Sequence, residues 1–390
     1  MVVHIFADSI DERVGGLEKS VRRVAGYLAR RVAEKVVIYS HKLGKAPCAD
    51  GCECVDLGVA RARLVSPLVV SGVGISRDER FRLDGLLLRS ALERELARSH
   101  HQTHVVVSFF ATTCGFVAQT VCCLLGLPHV CCVRGSDFSR GAKTPEGLYA
   151  LEFSCRHARL VVTTSEEQRR FLQLAFAPSA PVRTIYNACS IPPDYPTWRP
   201  RHDHVLQLVT DTGYSFKKGT LLCIEAVEAV RKMGVLARLT VAGNVHPREA
   251  AFWTHKLQEL ESQPEFAYAG YLTAEDLCRL LLNSDLYVSG SLGEGCPNSV
   301  VTVLALGLPA VLPACGAIPE LCVGMPQVWL FSPGDATGLQ DRLTQACRHL
   351  SQRPQFADEQ AVHGFRNRFT EQAEAEAWAA ALRQAAGVRS

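Results

Sequence analysis

A chain of 390 residues has room for two domains of ordinary size and is too long for one compact core. With 47% hydrophobic and 21% charged residues, its composition is that of a globular protein, and its net charge of +3 is too small to indicate a nucleic-acid partner. The charge is unevenly distributed, with a net +7 over residues 1–190 and a net −4 over the remainder. The basic half could meet an anionic substrate or an acidic membrane surface, or it could be an ordinary solvated surface.

The first half of the chain alternates between strand-like and helix-like segments. After the first strand, apolar residues recur at helical spacing, and the same alternation continues to the end of this half. Apolar strands between helices are typical of a parallel sheet covered on both faces. Strands are predicted at residues 2–8, 34–40, 104–110, 129–133 and 158–165.

The alternation is interrupted once and then restarts. Four prolines within residues 191–204 predict an interdomain linker. We therefore predict an α/β protein of two Rossmann-like, doubly wound domains at 1–190 and 205–370, followed by a C-terminal helix at 371–390. Open sheets of this type bind ligands at the carboxyl ends of their strands, so two such edges would face each other across a cleft.

Sixteen cysteines in a chain without a recognisable signal peptide predict reduced, mostly buried thiols. Cys48, Cys52 and Cys54 form the densest group, but no second ligand pair follows at the spacing of zinc modules. The apolar segment 116–133 is broken at 126–128, and each half is too short to cross a bilayer. The sequence thus predicts a cytoplasmic protein with no metal site and no transmembrane segment.

Two glycines and two lysines stand where phosphate groups could bind. Gly15 and Gly16 lie between the first strand and the first helix, where glycine permits close approach and a helix N-terminus offers free N–H groups. The same glycines could equally form a turn. Lys217 and Lys218 directly precede a glycine and a helix, so they could neutralise phosphate or be solvated turn lysines.

The segment 293–313 places a single carboxylate, Glu294, just before an apolar helix. Asn298 and Thr302 are four residues apart and share a helix face, and the free N–H groups of Asn298 and Ser299 could bind an anion or a hydroxyl. A carboxylate can accept hydrogen bonds from sugar hydroxyls. Together with a lysine and two helix N-termini, these groups suit a nucleotide-sugar.

The chain contains no Asp-x-Asp motif. Such a pair of carboxylates would be the expected way to hold a diphosphate through a divalent metal. The predicted chemistry is therefore metal-independent, with no cofactor other than the nucleotide-sugar itself, carrying UDP or GDP. Lys218 and the helix N-termini would balance the phosphate charge.

Several segments together resemble the retaining glycosyltransferases of family 4, which have the GT-B architecture of two Rossmann-like domains. The resemblance runs over nearly the whole chain. Its most specific part is GEGCPNSVVTVLALGLPAV, a segment in which the family pattern is Glu-x7-Glu ahead of Gly-x-Pro. The other segments that carry it are GGLEKSVRRVAGYLA, VRGSDF, VVTTSEEQRRFL, IYNACSI, KKG and AGYLTAEDL. The resemblance implies that the helix at 371–386 crosses back to the first domain.

The resemblance also implies roles for individual residues. Gly16 and Lys218 would contact the donor diphosphate, and Glu294 would contact hydroxyls of the donor sugar. Backbone amides from Cys296 to Ser299 would assist Glu294. The remaining donor-site candidates are Gly15, Lys217, Tyr271 and Leu272, the last two lying against the base.

On the donor side, this sequence departs from the family pattern in two places. Thr302 stands where the second Glu of the motif would bind the ribose hydroxyls, so a hydrogen bond there would lack charge assistance. The arginine expected about five residues before Lys218 is missing, and TDTGY stands in its place.

The third departure lies on the acceptor side. The histidine common at the end of the 104–110 strand is replaced by Phe109 or Phe110, and the histidine of the next loop is replaced by Arg134. Arg134 could supply the missing positive charge, or it could form a salt bridge to Asp137 in its own loop. Phe110, Arg134 and Asp137 are the acceptor-side candidates.

The sequence thus predicts a retaining glycosyltransferase that moves a hexose-type sugar from UDP or GDP to a small polar acceptor, as in antibiotic or other secondary-metabolite assembly. In this class the leaving diphosphate helps to deprotonate the acceptor, so no dedicated protein base is needed. Two alternatives stay open: a polysaccharide- or lipid-directed transferase at a membrane surface, and a non-catalytic sugar-nucleotide-binding subunit. The oligomeric state, including a homo-oligomer, is also open.

Overall fold

The computed structural model describes residues 1–10, 16–43, 51–58, 77–192, 194–200, 204–352 and 358–387. The chain divides into two compact units. The first unit comprises Met1–Tyr186 and Gln372–Ser390, and the second unit comprises Asn187–Glu371. Each unit is built around one parallel sheet with helices, so the predicted α/β class is confirmed.

The sheet of the first unit has seven strands in the order β3-β2-β1-β4-β5-β6-β7. Every neighbouring pair is parallel. Most of these strands are buried along their length, as their continuous apolar runs require. The strands are β1 (Val2–Ser9), β2 (Lys35–Lys42), β3 (Cys52–Asp56), β4 (His104–Phe109), β5 (His129–Cys132), β6 (Leu160–Thr163) and β7 (Val182–Thr184).

Two helices of the first unit begin at short polar side chains that cap them. Ser165 accepts a hydrogen bond from the N–H of Gln168, and Thr144 accepts one from the N–H of Gly147. A π-helical turn, Ala111–Gly115, separates β4 from the helix that follows. The helices are α1 (Gly16–Arg31), α2 (Arg77–Arg98), α3 (Phe116–Leu125), α4 (Gly135–Ser139), α5 (Pro145–His157) and α6 (Glu166–Phe176).

The last helix of the chain, α14 (Glu371–Ala386), contributes to the core of the first unit. Its Trp378 and Leu382 belong to the same buried cluster as Val21 and Val24 of α1. The guanidinium of Arg23 forms two hydrogen bonds to the Glu374 carboxylate, at 2.7 and 3.1 Å. The C-terminal segment is therefore an integral layer of the first unit.

The sheet of the second unit has six parallel strands in the order β10-β9-β8-β11-β12-β13. Its strands are β8 (Leu206–Thr210), β9 (Ala237–Ala242), β10 (Phe266–Gly270), β11 (Leu286–Val288), β12 (Ala310–Pro313) and β13 (Val328–Phe331). Its helices are α7 (Thr220–Lys232), α8 (Ala250–Glu261), α9 (Ala274–Leu282), α10 (Asn298–Leu306), α11 (Ile318–Leu321), α12 (Ala336–Ser351) and α13 (Glu359–Arg368).

The described part of the proline-rich segment 191–204 packs onto the second unit. Trp198 is only 1% exposed. Its backbone N–H donates to the carbonyl of Leu306, and its indole N–H donates to the carbonyl of Ser284, both at 2.7 Å. The guanidinium of Arg366 donates to the carbonyl oxygens of Ala305 and Tyr195. This segment is therefore held by the end of α10 and by α13.

The expectation of reduced thiols is wrong at one position, because Cys54 is disulfide-bonded. Fourteen other described cysteines are free, and most of them are buried. Cys48 lies outside the described residues. Across the described ranges, no cluster of three or more His, Cys, Asp or Glu side chains could hold a metal ion. In the same ranges, no helix combines the length and hydropathy that a membrane span needs.

Candidate functional site

The strand order of the second unit fixes where a ligand would bind. The chain runs outward from β8 to β9 and β10 and then returns to the other side of β8 with β11. This reversal is a topological switch point, and open α/β sheets bind ligands there at the carboxyl ends of the strands. Asp211 directly follows β8, and the loop that carries Ser291 and Glu294 follows β11. Both segments therefore meet at this edge.

Two of the predicted site residues are in direct contact at this edge. The ammonium nitrogen Nζ of Lys218 lies 2.6 Å from Oε1 of Glu294. The same carboxylate oxygen accepts a 2.7 Å hydrogen bond from the hydroxyl of the buried Ser291. The Lys218 side chain is 34% exposed and the Glu294 side chain 13% exposed. An ion pair reachable from solvent is thus held at the switch point.

The ion pair is also reflected in its pKa values. Burial alone would raise the pKa of Glu294, but the charge and hydrogen bond of Lys218 hold it below its ordinary value. Burial would lower the pKa of Lys218, but the charge and hydrogen bond of Glu294 raise it. Both groups are therefore charged at neutral pH, and they offer a ligand one cation and one hydrogen-bond acceptor.

Close glycine contacts bring the two charged residues together. Gly219 has a φ of +63° and packs against the backbone of Gly290 so tightly that a Cβ on either residue would meet the other's carbonyl oxygen. The N–H of Leu292 donates a 2.9 Å hydrogen bond to the carbonyl of Lys217. The segments before α7 and after β11 are therefore joined just beside the Lys218 side chain.

The loop that carries Glu294 is held from two further sides. The side-chain amide of Asn187 donates a 2.6 Å hydrogen bond to the carbonyl of Cys296, and its backbone N–H lies 3.4 Å from the Cys296 Sγ. On the other side, the N–H of Ala317 donates a 2.7 Å hydrogen bond to the carbonyl of Gly295. The carbonyl and thiol of Cys296 thus fix the loop, and the role of its backbone amide as a donor stays a prediction.

Sequence reasoning missed a second polar group at the same edge. The hydroxyl of Tyr287, inside β11, donates a 2.6 Å hydrogen bond to Oδ1 of Asp211. The Ser299 side chain interacts with both groups and opposes the rise of their pKa values. Tyr287 is fully buried, so its hydroxyl needs a hydrogen-bond partner. A tyrosine within an apolar strand was therefore the signal in the sequence that could have indicated a polar partner at this edge. Burial raises the pKa of Asp211, against the opposing hydrogen bond of Tyr287 and charge of Lys218.

The helix α10 begins beside these groups, directly after Pro297. Asn298, Ser299 and Thr302 are half-buried, whereas Val300 and Val301 are buried, so the polar side chains lie on the more exposed side of the helix. As in any helix, the first N–H groups have no intrahelical partner and carry a partial positive charge. Asn298 and Ser299 are the first two residues of α10, so their backbone N–H groups are among those that could bind a ligand.

The two residues expected to lie against a base follow β10. Tyr271 is 54% exposed and Leu272 is half-buried. Two more aromatic side chains are exposed in the loop and strand nearby, Phe216 and Tyr268, at 43% and 47%. Tyr268 packs edge-on against Tyr214, with ring centroids 5.2 Å apart. Exposed aromatic surface of this kind can stack with a planar base.

In the first unit, Gly16 begins α1 after β1, and Gly15 lies outside the described residues. Phe110 directly follows β4 with a φ of +75°, a conformation that is costly for a residue with a Cβ. Strain of this kind clusters at functional sites. The switch point of this sheet lies between β1 and β4, so Gly16 and Phe110 share its edge.

Asp137 has a structural role in the described first unit. Its buried carboxylate accepts hydrogen bonds from the backbone N–H groups of Ala111, Thr112 and Arg134, at 3.1, 2.9 and 2.8 Å, and from the Thr112 hydroxyl. It thereby fastens the π-helical turn to the start of α4. The guanidinium of Arg134 lies over the ring of Phe109, 4.9 Å from its centroid.

Comparison with known proteins agrees with this arrangement. Residues 14–191 match the family described as "Glycosyltransferase Family 4", and residues 205–349 match the one described as "Glycosyl transferases group 1". The two matches together cover most of the chain. The chain is built from two glycosyltransferase domains. The Lys218–Glu294 pair lies in the group 1 domain.

Curated relatives match a shorter segment. A "Putative colanic acid biosynthesis glycosyltransferase WcaL" of Salmonella typhimurium is 26% identical over 149 residues, which is 37% of this chain and 36% of the relative. Its counterpart in Escherichia coli is 27% identical over 148 residues, 35% of each chain. The matched segment thus spans about a third of the length of these curated relatives.

Solved structures match over nearly the whole chain. Sucrose-phosphate synthase from Thermosynechococcus elongatus has a TM-score of 0.75 at 15% identity, with 100% of both chains covered. HepE from Anabaena, in complex with UDP, has a TM-score of 0.69 at 16% identity, with 98% of this chain and 99% of that chain covered. The lipopolysaccharide outer core galactosyltransferase WaaB has a TM-score of 0.68 at 13% identity, with 98% and 99% covered. The predicted GT-B fold is confirmed.

Proposed function

We propose that this protein is a retaining glycosyltransferase that transfers a sugar from a UDP-sugar to a saccharide acceptor without a metal ion. The observation that carries the proposal is the Lys218–Glu294 ion pair at the switch point of the group 1 domain, beside the start of α10. These groups place a cation, a helix N-terminus and a carboxylate that can accept hydrogen bonds from sugar hydroxyls at one edge of the sheet.

The donor would separate the two charges of the ion pair. Lys218 would turn to the diphosphate, where its charge stabilises the leaving group, and the N–H groups at the start of α10 would assist it. Glu294 would then accept hydrogen bonds from hydroxyls of the donor sugar. Lys217, Asn298 and Ser299 are proposed around the phosphates, Thr302 near the ribose, and Tyr271 and Leu272 at the base.

The transfer step needs no protein base in this proposal. The acceptor hydroxyl attacks the anomeric carbon on the face from which the diphosphate leaves, and a diphosphate oxygen takes up the hydroxyl proton. The new glycosidic bond then has the configuration of the donor. Positioning and leaving-group stabilisation would supply most of the rate enhancement. Phe110 and Arg134 are the acceptor-side candidates, with Asp137 supporting them.

The choice of UDP and of a saccharide acceptor is supported by similar proteins. HepE is solved with UDP and with UDP-glucose, and the curated relatives are named for colanic acid biosynthesis. These observations favour the polysaccharide-directed alternative over a small acceptor in secondary metabolism. A cytoplasmic location remains a prediction from the sequence.

The test is a donor and acceptor assay on the purified full chain. Thermal shifts with UDP, GDP, ADP, dTDP and CDP, each with and without EDTA, would identify the nucleotide, since a ligand at a hundred times its Kd adds about 2.7 kcal/mol of stability. We expect UDP to stabilise the protein equally in both conditions. NMR of the product would then give the anomeric configuration. Stabilisation by no nucleotide would overturn the proposal.

A further inference from the structure

The donor edge of the second unit carries two cations and two anions. Lys217 and Lys218 precede α7, Asp211 follows β8, and Glu294 follows β11. These four formal charges sum to zero. The resemblance described above implies an arginine about five residues before Lys218, and the segment TDTGY in its place contains Asp211 and no cation. The diphosphate of a nucleotide-sugar carries two negative charges at neutral pH, and this edge has no net charge to balance them.

The Asp211 carboxylate is fixed beside the other donor groups. Tyr287 donates a 2.6 Å hydrogen bond to its Oδ1, and the Ser299 side chain interacts with both groups and opposes the rise of their pKa values. Ser299 is the second residue of α10, where the helix dipole attracts negative charge. Asp211 also interacts electrostatically with Lys218. Asp211 therefore interacts with the same two groups that would bind the donor diphosphate, the Lys218 ammonium and the start of α10.

We infer that Asp211 sets the affinity of the donor site for diphosphate: its carboxylate competes with the donor for Lys218 and for the α10 N-terminus, and it takes up one proton from solvent when the diphosphate binds. The inference rests on the proposed function and deepens its donor site. The step is a protonation only, in which the carboxylate and a solvent proton give a neutral carboxylic acid. Tyr287 remains as a hydrogen-bond partner of the neutral form.

The groups that face Asp211 permit this protonation. Tyr287 from β11 and Lys218 from the segment before α7 act on Asp211 directly. Glu294, from the loop after β11, acts on Lys218 and Tyr287. The charge of Lys217 lowers the pKa of Glu294, and Cys315, which follows β12, raises the pKa of Lys218. Burial raises the pKa of Asp211, and a diphosphate beside it would raise that pKa further. Glu294 keeps a low pKa because Lys218 contacts it directly, so Asp211 is the group that takes the proton.

The experiment is isothermal titration calorimetry on the full chain with two probes, inorganic pyrophosphate and UDP-glucose, at pH 6 and pH 8. The variant is Asp211→Asn, which removes the charge and keeps an acceptor for Tyr287. The matched control is Asp285→Asn, since Asp285 is a buried carboxylate at the opposite, amino end of β11, where it accepts a hydrogen bond from the N–H of Gln207. Pyrophosphate itself changes its protonation between pH 6 and pH 8. Because the proteins are compared at the same pH, this contribution is the same for each and cancels.

We expect Asp211→Asn to bind both probes about tenfold more tightly than the wild type at pH 8, a change of about 1.4 kcal/mol. The advantage should shrink at pH 6, and Asp285→Asn should match the wild type. Titrations in two buffers of different ionisation enthalpy should reveal proton uptake by the wild type and less by Asp211→Asn. If Asp211→Asn does not fold, proton uptake by the wild type on binding UDP-glucose decides alone, and its absence refutes the inference.

The remaining outcomes separate the two proposals. Binding of UDP-glucose with no gain in Asp211→Asn overturns the role of Asp211 and leaves the proposed function intact. Tighter pyrophosphate binding in Asp211→Asn without binding of any nucleotide supports the role of Asp211 and refutes the proposed function. If neither probe binds either protein, both proposals are wrong.

Discussion

Asn187 and Cys296 are 109 residues apart in the chain and are joined by a 2.6 Å hydrogen bond from the Asn187 side-chain amide to the Cys296 carbonyl. Both residues are buried. The bond fixes the Gly-rich loop that carries Glu294 to the first residue of the second unit. The geometry of the proposed donor site thus depends on a residue far outside the motif.

Asn187→Ala should weaken both the fold and the donor site. Removing the amide leaves a buried carbonyl without its donor, which costs about 1–3 kcal/mol. The loosened loop should raise the donor KM more than it lowers kcat. Urea unfolding and donor-saturation kinetics measure the two effects. The control is Asn283→Ala, at the exposed end of α9, for which an unchanged KM is expected.

Breaking the Lys218–Glu294 pair should abolish most activity. Lys218→Met should lower kcat/KM about 100- to 1,000-fold, the usual cost of one group that stabilises developing charge. Its effect on stability should be about 1–3 kcal/mol, less than for a fully buried pair, because Lys218 is one-third exposed. Lys232→Met, at the exposed end of α7, is the control. Full activity in Lys218→Met would contradict the proposed donor site.

The same pair predicts a broad pH range of constant stability. The lowered pKa of Glu294 contributes stability that is present above its ordinary value of 4.5 and is lost as the pH falls toward the folded value. The raised pKa of Lys218 contributes stability that is present below 10.5 and is lost as the pH rises toward the folded value. Glu294→Gln should therefore remove an increment of stability that does not vary between about pH 5 and 10. Chemical unfolding of the wild type and of Glu294→Gln across this range measures the increment. An increment that changes with pH inside the range would contradict the prediction.

Gly219→Ala should destabilise the second unit by about 3 kcal/mol, because it adds a left-handed backbone penalty to a backbone clash. Gly219 has a φ of +63°, and a Cβ there would meet the carbonyl of Gly290. The matched control is Gly234→Ala, which has a φ of +90° but no atom within 4 Å of the added Cβ. The control should lose only about 1 kcal/mol. Equal losses in thermal unfolding would refute the role of the close contact.

The first unit should lose stability in mild acid through His129. Its imidazole is buried between Ser108 and Gln119, both at 2.8 Å, and burial lowers its pKa from 6.5 to about 3. Because the folded state resists protonation, stability is present above pH 6.5 and falls by about 1.4 kcal/mol per pH unit below it.

The check is His129→Asn, which should reduce the slope of unfolding free energy against pH by about that amount between pH 6.5 and 4.5. His255→Asn is the control, since the His255 side chain is 77% exposed. Equal slopes in the wild type and His129→Asn would show that this histidine does not govern acid sensitivity.

The two sheets could be predicted from the sequence because each buried strand requires an uninterrupted apolar run, and Pro and Gly separate these runs from the helices. Lys218 and Glu294 could be named, but their contact depends on how Gly219 meets Gly290, which no local pattern encodes. Tyr287 was missed because, inside an apolar strand, it resembles core. Phe110 has a left-handed φ that its residue type disfavours, so only the surrounding fold imposes it.

The packing of α14 has a consequence for synthesis of the chain. Trp378 and Leu382 complete the core around Val21 and Val24, yet the ribosome makes them only after the whole second unit, Asn187–Glu371. At about 5–20 residues per second, the first unit waits roughly 10–40 s for its last helix. During this interval the apolar groove for α14 stays open in a nascent chain. The second unit can fold first, and a chaperone that shields the groove should raise the yield of native protein.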